Sequence, residues 1–170
     1  VVYAAHCWFD GRDQGDAVEV VLGATTVFFG GLRQVTRNVI IHPDWDFMHL
    51  SNDVGIITLT NAVPLSNTIA PIALPSGSQL DDLFVDEVVL ASGFGRTGDS
   101  KITILQTLSH VYLNVITNEV CRQHYRFNVI DSTLCTGGVR GSSTCGGDSG
   151  GPLAITRNGK PILVKLPLEF

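Results

Sequence analysis

Charge is scarce in this 170-residue chain: 16% of its residues are Asp, Glu, Lys or Arg, and sixteen acids against eleven bases leave a formal charge of −5. No run of Lys and Arg forms the electrostatic footprint that nucleic acid or an anionic membrane needs, so neither partner is expected. No apolar stretch approaches the roughly 20 residues that cross a bilayer as a helix, and the first residues lack the basic and apolar regions of a signal peptide. There is no internal repeat, no low-complexity tract and no Asn-X-Ser/Thr acceptor for N-glycosylation. Only four cysteines and one methionine are present.

What remains is a globular composition, with 44% hydrophobic residues and 18 glycines, enough for one sizeable core or two small ones. Runs rich in Val, Ile, Thr and Phe occur at Val18–Leu22, Thr26–Phe29, Val35–Ile41, Val54–Leu59, Glu87–Ala91, His110–Val115 and Pro152–Thr156. Gly, Pro, Asn and Asp separate them, the pattern of an all-β barrel or sandwich, with Asn118–His124 the one candidate helix. Val1-Val2-Tyr3-Ala4-Ala5 reads as the inside of a buried strand without a polar lead-in, so the natural start is expected upstream. Three prolines between Val63 and Pro75 withhold the donors of a central strand, which makes that stretch a connector between two halves. From Pro152 to Val164 two apolar strands flank Asn158-Gly159, a strong hairpin signal. Residues 165–170 then break the alternation, and Lys-Leu and Glu-Phe are dipeptides that common cloning sites encode, so a foreign origin is expected for this tail.

The most specific signal is Gly147-Asp148-Ser149-Gly150-Gly151-Pro152. At roughly 7% per position, six fixed residues recur by chance about once in ten million windows. A serine hydroxyl is a weak nucleophile until a neighbouring base takes its proton, and glycines around it let a substrate carbonyl approach the backbone. A turn of this kind also aims N–H groups at one point, where they stabilise an oxyanion, each worth on the order of 10² to 10³ in turnover.

The base must come from His6, His42, His49, His110 or His124. His6, at a strand end in Ala4-Ala5-His6-Cys7, has the most telling context. A carboxylate should orient it, and Asp53 fits, an acid at the mouth of the apolar run Val54–Leu59, where burial is costly without a partner. Asp44, Asp46, Asp81 and Asp82 lie in turn-like or doubly acidic stretches and read as solvated surface.

Taken together, Ala4-Ala5-His6-Cys7, Asn52-Asp53-Val54 and the Ser149 motif resemble, in order, the three signatures of the chymotrypsin/trypsin family, and the likeness extends from Val1 to about Val164. With Trp8-Phe9-Asp10-Gly11 following, the resemblance is greatest to arthropod digestive chymotrypsin-like and collagenase-like enzymes. It implies two antiparallel six-stranded β-barrels, both incomplete here. Residues 1–74 would carry His6 and Asp53, and residues 75–164 would carry Ser149. It further implies a secreted, zymogen-derived serine endopeptidase with protein or peptide substrates, protein inhibitors among its partners, a monomeric state, and no metal or cofactor. His6 would be general base and then acid, Asp53 its partner, Ser149 the acylated nucleophile, and the N–H groups of Gly147 and Ser149 the oxyanion hole. Asp148 would pair with an N-terminus released by zymogen cleavage, a role Val1 does not fill.

The same resemblance pairs Cys121 with Cys135, a bridge that suits an oxidising compartment. It leaves Cys7 and Cys145 with partners before Val1 and beyond Val164; a Cys7–Cys145 pair is the alternative. Ser143, six residues before Ser149, would floor the specificity pocket, and a neutral hydroxyl there suits large apolar side chains rather than Lys or Arg. Elastase-like or broad collagenase-like choice is the alternative. Leu22–Gln34 contains no acid, which argues against a calcium loop in the first barrel. The rival of another class is a catalytically silent homologue acting as a binding or regulatory module. The order His, Asp, Ser and the all-β pattern both differ from the α/β-hydrolase arrangement and argue against it.

Overall fold

The computed structural model describes residues 1–98, 103, 106–125, 129–138 and 141–166. Over these residues the chain is all-β apart from one α-helix and two short 3₁₀ turns, at Ala5–Cys7 and Gly77–Leu80. The strands are β1 (Val2–Tyr3), β2 (Val18–Leu22), β3 (Leu32–Thr36), β4 (Val39–Ile41), β5 (Gly55–Ile57), β6 (Val88–Gly93), β7 (Ser109–Ile116), β8 (Cys135–Gly137), β9 (Leu153–Arg157) and β10 (Lys160–Lys165). Three antiparallel sheets form, in the orders β1-β5-β4, β2-β3 and β10-β9-β6-β7-β8. None closes on itself, in keeping with two incomplete barrels.

Alternation of side chains along the strands makes the core of the five-stranded sheet. In β7, Val111, Leu113 and Val115 face inward while His110, Tyr112 and Asn114 face water. Leu113 lies opposite Val89 of β6, and with Ile155 and Val115 these are the largest fully buried side chains, each worth about 1.5–3 kcal/mol of burial. Asn158, with φ of 52°, and Gly159, with φ of 74°, supply the left-handed pair that turns β9 into β10, as the Asn-Gly signal predicts. The helix α1 (Asn118–His124) also matches its expectation; the Thr117 hydroxyl caps it by accepting from the Val120 amide. A disulfide joins Cys121 in α1 to Cys135 at the start of β8, with Cα atoms 6.3 Å apart.

Three expectations need correction. Val35–Ile41 is two strands, because the amide of Val39 turns back to Arg37 O and Asn38 N takes the Thr36 hydroxyl, sending β3 to β2 and β4 to β5. Thr26–Phe29 is a turn, closed by the Thr26 hydroxyl on Phe29 O and followed by two left-handed glycines, with Thr26 making only an isolated bridge to Thr107. The Val1–Ala5 stretch is a two-residue edge strand with Val1 and Val2 exposed, and only Ala4 and Ala5 are fully buried. The last strand extends to Lys165, which pairs with Leu153 after a bulge, and residues 167–170 lie outside the described residues.

Candidate active site

β1 delivers Ala4 and Ala5 into the interior and then the 3₁₀ turn that carries His6 and Cys7. The small side chains there answer a close approach by the Ser149 loop. A Cβ on Gly150, whose φ of 77° already favours glycine, would lie 3.4 Å from Ala4 Cβ and 3.1 Å from Cys7 Sγ. Glycine at this position therefore lets the two motif segments touch, although more than 140 residues separate them in sequence.

Asp53 is aimed by an unusual backbone: Leu50 and Asn52 both adopt positive φ, and Asn52 anchors the loop through its side-chain amide on Asp44 O at 2.9 Å. One carboxylate oxygen accepts the His6 backbone N–H at 2.8 Å, and the other lies 2.7 Å from His6 Nδ1. Both side chains are mostly buried, 19% and 13% exposed. This double grip assigns the proton to Nδ1 and leaves Nε2 pointing away from Asp53. On that side lies Cys7 Sγ, 3.5 Å from Nε2 and 3.7 Å from the Ser149 carbonyl oxygen. The bond to Asp53, helped by the one to Cys7 and opposed by burial, pushes the His6 pKa up to about 10.

In the Ser149 loop, turns bring Asp148 N to Cys145 O and Gly151 N to Asp148 O. The Asp148 carboxylate accepts from the amides of Gly95, at 2.7 Å, and Cys145, at 3.1 Å. A Cβ on Gly93 or Gly95 would overlap that carboxylate. The amine of Val1 donates to Ile57 O within the β1–β5 pairing. Ser143 is exposed, donates its hydroxyl to Thr144 O, and borders two cavities. One, of about 340 Å³, includes Gly95, Arg96, His110 and Asp148. The other, of about 630 Å³, includes Asp53, Leu163 and Lys165, whose ammonium burial pushes downward in pKa.

The other histidines are engaged elsewhere. His42 Nδ1 accepts the Asp44 amide, His49 pairs with Asp46 at the surface, His110 packs edge-on against Tyr112, and His124 ends α1. Among the described residues no cluster of His, Cys, Asp or Glu is arranged to hold a metal. Cys7 and Cys145 are both free thiols, so the alternative Cys7–Cys145 bridge does not form.

Two features escaped the sequence. Tyr3 stands opposite Gly55 in register, and its ring occupies the space a side chain there would take: a Gly55 Cβ would come within 2.5 Å of Tyr3 Cε1. Its hydroxyl oxygen is buried without a hydrogen-bond partner among the described residues, and burial with the charges of Cys7 and Asp53 pushes its pKa up to about 12. The other is the Cys7–His6 contact. A glycine paired with an aromatic was the available signal for the first; nothing in the sequence announced the second.

The chain as a whole is similar to known proteins. The sequence model of the family described as Trypsin matches residues 1–164. Brachyurin of Leptuca pugilator is 35% identical over 156 residues, covering 90% of this chain and 65% of that protein. A collagenase of Hypoderma lineatum is 32% identical over 157 residues, covering 92% of this chain and 57% of that protein. The solved structure of an HL collagenase superposes with a TM-score of 0.80 at 31% identity, over 95% of this chain and 66% of that one. The chain thus spans about two thirds or less of the length of these relatives. Because the family match covers residues 1–164 of the 170, the chain belongs to the trypsin family.

Proposed function

We propose that this chain carries the acylation machinery of a secreted serine endopeptidase, with His6 and Asp53 supplied by the half 1–74 and Ser149 by the half 75–164. The observation that carries the reading is the double grip of Asp53 on His6, which fixes the tautomer a base needs and turns Nε2 outward. In the proposed cycle the fraction of His6 that is neutral at Nε2, small below the pKa of about 10, takes the proton of Ser149 Oγ as that oxygen attacks the scissile carbonyl. Asp53 stabilises the imidazolium, and the N–H groups of Gly147 and Ser149 receive the oxyanion. His6 then protonates the leaving amine, and water releases the acyl group by the same steps. Asp148 would hold the loop in place, first through its two amide bonds and then through an activation ion pair.

Ser143 supports a preference for large apolar residues before the scissile bond, since it places no carboxylate at the pocket floor. A broader, collagenase-like choice is the second reading, favoured by the collagenase among the relatives. Protein or peptide substrates, protein inhibitors and a monomeric state follow from the proposed activity, and the Cys121–Cys135 bridge supports an extracellular setting. The low charge, net acidic at −5, favours neither nucleic acid nor membrane.

Chromogenic peptides ending in Phe, Leu, Ala and Arg test the reading in the native protein. Phe and Leu should be cleaved fastest, and Ser149→Ala should leave only the residual enhancement from binding and the oxyanion hole. A dominant Arg rate would refute the role given to Ser143, and full activity in Ser149→Ala would refute the nucleophile.

A further inference from the structure

We propose that the bond between Phe29 and Gly30 is a self-cleavage site, cut by a second copy of the chain, and that Arg33 is the latch that holds it closed. The site stands on the turn between β2 and β3. Phe28 and Phe29, 54% and 56% exposed, precede Gly30 and Gly31, and all four residues lie open to water at the tip of the hairpin. No atom lies within 4 Å of where a Gly30 side chain would begin, so the bond has clear space on its leaving side. The β2–β3 ladder ends at the Leu22–Leu32 pair and does not protect it. By contrast, the exposed Phe47 and Met48 sit in a loop closed by backbone bonds in both directions between Asp46 and Ser51, Leu80 ends a 3₁₀ turn, and Val88 and Tyr112 lie within paired strands.

In its closed form the turn is a poor substrate. A peptide taken up through its main chain is read as an extended strand, whereas Gly30 and Gly31 have φ of 72° and 70°. The carbonyls it would offer are also taken. Arg33 donates from Nε to Gly30 O at 3.1 Å and from Nη2 to Val27 O at 2.7 Å, and the Thr26 hydroxyl donates to Phe29 O, the carbonyl of the bond to be cut, at 2.8 Å. Glu19, on the facing strand, holds Arg33 Nη1 at 2.7 Å. Cutting therefore waits on local opening of the turn, and its rate follows the open population.

The inference rests on the proposed function, which supplies both the activity and the preference for a large apolar residue. Ser149 Oγ of one copy attacks the Phe29 carbonyl of another, the Phe29–Gly30 C–N bond breaks, and the Gly30 amine leaves with the proton that His6 took from the serine. Water then releases Phe29 as a carboxylate and restores the Ser149 hydroxyl. The cut divides the site itself. His6 stays on the piece that ends at Phe29, while Asp53 and Ser149 lie on the piece that begins at Gly30, and the Cys121–Cys135 bridge is wholly within the second. Activity should decline as the cut accumulates, a limit that tightens as the enzyme becomes more concentrated.

For the test, the native protein is incubated at two concentrations and new amino termini are identified by sequencing. In parallel, Ser149→Ala is digested with chymotrypsin as a probe that prefers large apolar residues. In both, Gly30 should be the first new amino terminus. The native rate should rise with concentration, activity should fall in step with the cut, and Ser149→Ala incubated alone should stay whole. Adding Arg33→Gln to Ser149→Ala should speed the probe's cut after Phe29 on the order of tenfold. It should not speed any cut after Leu65, an exposed residue beside the separate Ser66–Ile69 turn. If Arg33→Gln fails to fold, Thr26→Val, which releases the Phe29 carbonyl, makes the same comparison. A first cut elsewhere, an unchanged rate in a folded variant, or equal acceleration at Leu65 would overturn the latch. A native protein that cleaves Phe-ending peptides but leaves Phe29–Gly30 whole would overturn self-cleavage. Failure of the proposed function shows differently, as a native protein inactive on those peptides; self-cleavage falls with it, while the chymotrypsin digestion still decides the latch.

Discussion

Replacing Asp53 by Asn removes the charge from the most tightly held pair in the site while keeping its size. In the folded chain the His6 pKa rises from 6.5 to about 10. The bond to Asp53 is the largest cause of that rise. A histidine whose pKa rises on folding contributes its full stabilisation below the unfolded value and loses it as pH climbs toward the folded one. Stability should therefore fall by up to about 1.4 kcal/mol per pH unit between 6.5 and 10. Tyr3, held near 12, adds nothing to that slope. Urea unfolding followed by tryptophan fluorescence, with Trp45 hydrogen-bonded to Phe9 O and Trp8 just beyond Cys7, reads the slope directly. In Asp53→Asn most of it should disappear. The corresponding change in chymotrypsin-like enzymes lowers kcat about 10⁴-fold, and a loss of that order is expected here. An unchanged pH slope in the variant would refute the assignment of the imidazole's proton affinity to Asp53.

Gly55→Ala should destabilise the chain by roughly 1–3 kcal/mol, since the new methyl meets the Tyr3 ring and Ile40 O. The cost should shrink in a Tyr3→Ala background, and equal costs in both backgrounds would rule out the ring contact as the cause. Removing the Cys121–Cys135 bridge by paired serine substitutions should lower stability by about 3 kcal/mol in the chain-entropy account, read as a fall in Tm. Leu113→Ala, at the centre of the five-stranded sheet, should cost about 2–5 kcal/mol by opening a cavity, and a loss below 1 kcal/mol would show that the site collapses freely.

Elements whose causes are local were legible from the sequence. Val18–Leu22 and Asn118–His124 were bounded correctly, and the Asn158-Gly159 turn was found, because a β-rich run, a threonine cap and a left-handed dipeptide act within a few residues. The break at Arg37–Asn38 was hidden, since it arises when one apolar run serves two different sheets. Thr26–Phe29 has strand composition but lacks a ladder partner beyond one bridge, so Phe28 and Phe29 end up exposed in a turn. Three-residue β8 holds a cysteine and a glycine and exists through pairing with β7 and the bridge to α1. At the candidate site, His6, Asp53 and Ser149 were read from motifs. The approach of Cys7 to Nε2 and the burial of the Tyr3 hydroxyl depend on how the turn after β1 meets the Ser149 loop, which no single segment encodes.

If Ser149 is the nucleophile served by His6, an organophosphonate should label it covalently. A single adduct is expected, located at Ser149 by peptide mass mapping in the native protein and lost in His6→Ala. An adduct at another residue, or none on a protein that is folded and activated, would contradict it.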